Sequence, residues 1–406
     1  MLDSLLGIDE DPETDEEPKI DEKLSLRTDM GCAIQKYEYD ENGRVRAKHF
    51  LGVDAEPVLR RDAGYSTIEF TYDNLGFCTS ERYLDTEGNP ILRSDTGYAS
   101  VEYEYNDRRL RKSEYYFDVE HNPVISTKYH CAGFEYDYDD MGNRDDIQYM
   151  DLNGELMVRS DLGYAHQVSA YDHLGNKTME EYFDTDGRPA VWKEGGFGYV
   201  EQIFDKNMLI ESRYYEKKAD LDKDKESSPV MKNDRGYAAV LYTYAPYGQC
   251  LSEFYYDTEG QPVISTKYHC AGMRYRYDKR GNRRHYRYLG PDGRLMVRRD
   301  SGCAGVRYQY DKNGNQAWIW YIGVDGKLMT QAELGYAKVR KEYDPIGNLT
   351  REFYFDVHIK PAVHKERGYA SFQDTYENGL RKECRYSDED GKLILRDDRG
   401  VCHYKI

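Results

Sequence analysis

Two copies of one segment, PVISTKYHCAG at residues 123–133 and 262–272, set a histidine beside a cysteine: His130 with Cys131, and His269 with Cys270. A thiol next to an imidazole can serve as a nucleophile and its base. Adjacent residues of an extended strand point to opposite faces, so here the two groups diverge. The copies also stand 139 residues apart, four periods of 33 plus 7, as a duplicated block would. Shared ancestry accounts for the identity, and no catalytic residue is assigned.

Three further residue sets bear on chemistry. Asp-x-x-Gly tetrads such as residues 184–187 and 388–391 offer carboxylates. Calcium asks for many converging oxygens, whereas Asp with Gly three residues on is what a tight turn requires. Cys32, Cys131, Cys270 and Cys303 occupy a position that elsewhere holds Tyr65, Tyr98 or Phe197, and no Cys-x-x-Cys pair is present. A slot that alternates between a thiol and a ring is a buried apolar slot, so no metal and no cofactor is expected. Trp318 and Trp320, with Tyr288 and Tyr321, carry amphipathic rings of the kind that stack on sugars, and form a candidate binding surface.

The duplicated block also reverses its charge. Residues 134–160 hold eight acids against two arginines, net −6, while their copy at 273–299 holds ten basic residues against two acids, net +8. Asp137, Asp145 and Asp146 in the first, with Arg276, Arg283 and Arg284 in the second, are candidate electrostatic contacts. They are expected to meet within the chain or between copies, or to bind an acidic or phosphate-bearing partner.

These residues are carried by a tandem repeat. Taking a leading Gly as position 1, units begin at Gly31, Gly64, Gly97, His130, Gly163, Gly196, Gly236, His269, Gly302, Gly335 and Gly368, and a twelfth opens at Gly400. Nine of the ten steps from Gly31 to Gly368 are 33 residues, and the step to Gly236 is 40. A fixed period of this size defines a repeat architecture. Positions 3–9 alternate apolar and polar, as in Ala99, Val101, Tyr103 and Tyr105, the period of a half-buried strand. Tyr-Asp-x-x-Gly-Asn then turns the chain, so each unit is predicted to be a β-hairpin. The near-invariant aromatic at position 9, Tyr171 and Tyr343 included, is expected in the core. Pairing position 9 with 14 sets the ring at position 20 opposite the small residue at position 3. A second Asp-x-x-Gly follows, then Pro or Leu at position 27, placed at a strand start or edge because Pro cannot donate to a ladder. The unit at Gly196 departs from this pattern, with Met208 in place of the turn Gly and a charged insertion at 217–228 read as a mobile surface loop.

With mean hydropathy −0.91 and 41 tyrosines, the core must be built from tyrosine rings. The expected fold is all-β, an elongated spiral or superhelical sheet of about eleven hairpins. Residues 1–20 read as a disordered acidic arm and 21–406 as a single β-repeat domain, entered partway through a unit. Residues 1–30 alone carry net −8 of the total −18, a balance that disfavours nucleic acid. No apolar run is long enough to span a membrane. The start, MLDSLLGIDEDP, does not resemble a signal peptide, so a cytoplasmic location is expected, with the cell surface as the alternative.

The motifs at residues 171–176 (YDHLGN), 310–315 (YDKNGN) and 343–348 (YDPIGN) resemble the tyrosine-aspartate repeats of bacterial Rhs proteins and teneurins, which implies hairpins wound into a β-shell. Segments 181–189 (EYFDTDGRP) and 254–262 (FYYDTEGQP) look like the aromatic repeats of clostridial and streptococcal cell-wall or glucan-binding modules. The expected function is a non-enzymatic scaffold that binds a protein partner, or itself, through an extended curved surface. A carbohydrate-binding module of a cell-surface polysaccharide system is the alternative.

Overall fold

The computed structural model describes residues 29–218, 227–377, 379–394 and, for the backbone, 403–405. The acidic arm, the entry segment up to residue 28, most of the charged insertion and the opening at Gly400 lie outside them. Contacts divide the chain into two compact units, Met1–Gly133 and Phe134–Ile406. In the first, β1 (Ile34–Tyr39) to β6 form three hairpins: β2 (Val45–Leu51), β3 (Thr67–Tyr72), β4 (Cys78–Leu84), β5 (Ser100–Tyr105) and β6 (Arg111–Phe117).

β7 (Gly133–Tyr138) starts at the division, and the second unit continues through β8 (Arg144–Met150), β9 (His166–Tyr171), β10 (Lys177–Phe183), β11 (Tyr199–Asp205), β12 (Met208–Tyr215), β13 (Ala239–Tyr244) and β14 (Cys250–Tyr256). It goes on with β15 (Gly272–Tyr277), β16 (Arg283–Leu289), β17 (Gly305–Tyr310), β18 (Gln316–Ile322), β19 (Lys338–Tyr343), β20 (Leu349–Phe355), β21 (Ser371–Glu377), β22 (Leu380–Ser387) and β23 (His403–Lys405). Each strand from β8 on pairs antiparallel with the next. Among the described residues there is no helix, so the fold is all-β, as the alternation predicts.

The hairpin register differs from the sequence expectation. Position 9 faces position 15 and position 5 faces position 20, as in Tyr105 opposite Arg111 and Val101 opposite Tyr116, with a bulge beside the turn. The ring at position 20 meets alanine across the repeat boundary instead: Tyr83 N–H donates to Ala99 O at 2.9 Å. In the Gly196 unit the first turn has only Lys206 and Asn207 between the paired Asp205 and Met208, both at positive φ (50° and 64°). That two-residue turn, of the kind that suits hairpin twist and tolerates Asn, shortens the unit by one residue. Tyr214, not the Tyr215 that strict counting selects, therefore takes the ring slot against Phe197 at 4.9 Å.

One face of each unit is an aromatic ladder. In the first unit the rings Phe50, Tyr65, Tyr83, Tyr98, Tyr116 and Tyr129 follow one another at 5.8, 5.0, 6.0, 4.6 and 5.6 Å. In the second, Tyr237 to Tyr255 is 4.9 Å and Tyr336 to Tyr354 is 4.6 Å, and Tyr255 and Tyr354 are both 1 % exposed. In the duplicated segments, where cysteine replaces the ring at position 2, a tyrosine two residues earlier supplies it: Tyr129 for Cys131, and Tyr268, 5.4 Å from Tyr255, for Cys270, whereas Cys32 and Cys303 have Met30 and Ser301 there. The cysteines are buried, as the alternation with aromatics predicts. Val263, Met296 and Met329 from the return segments cover this face. Proline at position 27 makes a single bridge and no ladder, as in Phe117 to Pro123.

The position 9 tyrosines are not core, contrary to expectation. Tyr39 is exposed and the others are half-buried, Tyr171 and Tyr343 among them. Their hydroxyls reach back one repeat to a backbone carbonyl, as in Tyr105 to Cys78 O (2.8 Å), Tyr171 to Arg144 O (2.9 Å) and Tyr277 to Cys250 O (2.8 Å). They therefore act as hydrogen-bonded staples between hairpins.

Candidate functional site

In each hairpin the side chains of positions 4, 6, 8, 17, 19 and 21 stand on the face opposite the ladder, because strand residues alternate. Over β15–β20 one lateral row on this open face runs Arg276, His285, Arg307, Trp320, Lys338, Phe355, each directly opposite the next. Beside it Arg274 stands opposite Arg287. Like charges directly opposed across strands destabilise a sheet. Among the described residues, no carboxylate forms an ion pair with Arg274, Arg276, Arg284, Arg287 or Arg307.

Local packing fixes several of these cations. Arg287 lies over Gly305, where an added Cβ would come 2.8 Å from its side chain, and donates to Gly323 O and Val324 O at 3.0 and 3.1 Å. Its Nε is buried without a hydrogen-bond partner, and burial pulls its guanidinium below the ordinary range. Burial, followed by Arg276, Arg287, Arg284 and Arg307, holds His285 below the usual imidazole range. Lys338 places Nζ 4.0 Å from the centre of Trp318, and burial lowers it as well. A cleft of about 390 Å³ beside the row is lined by Arg280, Arg284, Arg307 and Lys312, together with Asp278 and Asp311. Those two carboxylates are already engaged: each accepts backbone N–H groups two and four residues on, at 2.8–2.9 Å, and a side-chain amide at 3.1 Å. The same bonding holds the other turn aspartates, so their oxygens serve turns.

The acidic copy occupies matching places on the open face. Asp146, Val168, Glu181 and Tyr199 form one row across β8–β11, at the positions that hold His285, Arg307, Trp320 and Lys338 in the basic copy. Asp137 is exposed on β7. Asp145 lies near the start of β8 with Oδ1 buried and without a hydrogen-bond partner. Burial, then the nearby Asp139, Asp137 and Asp146, raises its carboxyl above the ordinary range. Asp146 sits 3.3 Å from His166 Nδ1.

The remaining sequence candidates are placed as follows. Arg283 faces the ladder side, its guanidinium 5.0 Å from the centre of the Tyr275 ring, so only Arg276 and Arg284 of the three arginines share the open face. Tyr288 is buried and Tyr321 packs against Tyr336 at 5.8 Å, both in the ladder core. Trp318 and Trp320, nearly parallel at 6.0 Å, lie on the opposite face. The four rings do not form one surface, and Arg307 (5.4 Å) and Lys338 already stand over the two tryptophans. Cys270 is fully buried with its thiol pushed up to about 11 by burial, while His269 is exposed at φ 52° in the left-handed region. Arg287, Arg307 and Lys338 were not singled out from sequence. The signal was present in the alternations Gly305-Arg307-Gln309 and Lys338-Arg340, but it needs the true cross-strand register to join them.

No protein family matches the chain, and no curated protein matches it. Among solved structures, the chain is similar to the TcdB2-TccC3-TEV structure at 11 % identity, covering 92 % of this chain and 24 % of that one, with a TM-score of 0.18. The structure of TcdB2-TccC3 without its hypervariable C-terminal region gives 14 % identity over 87 % of this chain and 21 % of that one, again with a TM-score of 0.18. The chain thus spans under a quarter of these proteins, and its fold rests on its own strand pairing.

Proposed function

We propose that this repeat protein is a non-enzymatic scaffold of tyrosine-aspartate hairpins, and that the open face of β15–β20 binds an acidic protein partner. One observation carries the reading: arginines opposed to arginine or histidine across strands, with no carboxylate ion-paired to them among the described residues. Such a row lowers the stability of the isolated chain and gains from an external anion. Guanidinium groups match carboxylates in shape as well as in charge. The overall charge of −18 disfavours a nucleic acid as that anion.

The test is fluorescence anisotropy with a labelled oligoglutamate peptide. Binding that weakens steeply with salt and is lost in the Arg276→Glu/Arg307→Glu variant supports the proposal. Equal binding by the variant, or preference for a single-stranded oligonucleotide over the peptide, overturns it. The near-parallel tryptophan pair keeps a carbohydrate ligand as the second reading, which strong binding on a glycan array would promote.

A further inference from the structure

The two copies of the duplicated block share one backbone plan and differ on the open face. Positions 139 residues apart exchange Asp137 for Arg276, Asp145 for Arg284 and Glu181 for Trp320. Asp146 corresponds to His285 and Val168 to Arg307. The ladder side keeps its type over the same interval: Tyr136 and Tyr275, Tyr138 and Tyr277, Tyr149 and Tyr288. Charge has therefore changed on the open face and not on the ladder side.

Resting on the reading that the basic row binds an acidic polypeptide surface, we infer that the surface is a second copy of this chain, whose acidic row on β7 and β8, Asp137, Asp145 and Asp146, docks on the β15–β19 basic row. Two observations bear on the occupant. Asp137 and Asp145 of one block stand at the backbone positions that hold Arg276 and Arg284 in the other, so charge reverses between matching places. Among the described residues no ion pair joins the rows within a chain.

The rows also suit a closed pair. β8 and β16 belong to one sheet. A two-fold axis that sets one acidic row over the other copy's basic row brings the second pair of rows together as well. Both contacts form at once, the self-complementary arrangement of an isologous dimer.

Sedimentation velocity on the full chain at low and high salt tests this. The expected result is a dimer at low salt that dissociates at high salt. Asp145→Arg/Asp146→Arg should weaken association by about tenfold or more, since like charges then face each other. Arg276→Asp/Arg284→Asp should do the same. An equimolar mixture of the two variants should associate again, because each then offers the row that the other lacks, and this rescue also shows that both fold. A monomer at low salt, a dimer indifferent to both variants, or a mixture that stays monomeric while both variants keep the wild-type circular dichroism overturns the inference. If oligoglutamate still binds in those cases, the acidic-partner reading stands and only the second copy falls.

Discussion

The ladder face and the open face are built by the same strands, yet they obey different rules. On the ladder face, rings recur at 4.4–6.1 Å between neighbouring hairpins, and the rings lost at Cys131 and Cys270 are supplied two residues earlier by Tyr129 and Tyr268. On the open face nothing recurs: the places that hold Asp146 and Glu181 in one block hold His285 and Trp320 in the other. Close packing penalises any change of volume on the first. Solvent tolerates charge on the second, so that face is free to be shaped by what it meets. Fold is thereby carried by the ladder side of the sheet, and the proposed recognition falls to the open side.

The largest effect should come from breaking the ladder. Tyr255→Ala removes a ring 1 % exposed, packed between Tyr237 and Tyr268. It should lower stability by about 3–5 kcal/mol in denaturant unfolding. Truncating exposed Arg276 to Ala should change it by less than about 0.5 kcal/mol, and near-equal losses would erase the distinction between the faces.

The staples should fall between these limits. Tyr277→Phe deletes the hydroxyl that donates to Cys250 O while leaving the half-buried ring, at a cost of about 0.5–1.5 kcal/mol. A loss as large as that of Tyr255→Ala would return the position 9 tyrosines to the core.

The open face predicts gains where ordinary substitution predicts losses. Arg274→Glu, placed opposite Arg287, should stabilise the isolated chain by about 0.2–1 kcal/mol by replacing a repulsive cross-strand pair with an attractive one. Asp145 gives the same sign through pH. Its carboxyl is raised in the folded chain, so ionisation is disfavoured there, and its contribution to stability declines as pH rises through the carboxylate range. Asp145→Asn should remove that decline and stabilise the chain at neutral pH, and chemical denaturation at acid and neutral pH would show it. A loss of stability at neutral pH would mean that Asp145 has a favourable partner in the single chain.

The ladder side was largely legible in the sequence, because packing imposes the same residue at the same position: Cys or Tyr at position 2, Ala at position 3, Tyr at position 20. The turns were legible for a similar reason, since Asp172 accepts N–H groups from Leu174 and Asn176 of its own motif. The register was not, because the turn and the bulge beside it each shift the pairing by one residue and leave no mark in composition. Together they moved the partner of position 20 from position 3 to position 5. They also hid the row from Arg276 through Arg307 to Lys338, whose members come from three different repeats. Tyr288 and Trp320, adjacent in the sequence reading, parted to opposite faces once alternation was applied strand by strand.

The division of labour between the faces is tested most directly by one variant measured twice. Arg276→Glu/Arg307→Glu should unfold within about 0.5 kcal/mol of the wild type while losing salt-sensitive binding of oligoglutamate. Binding retained at wild-type strength, or a stability loss comparable to that of Tyr255→Ala, would contradict the assignment of recognition to the open face.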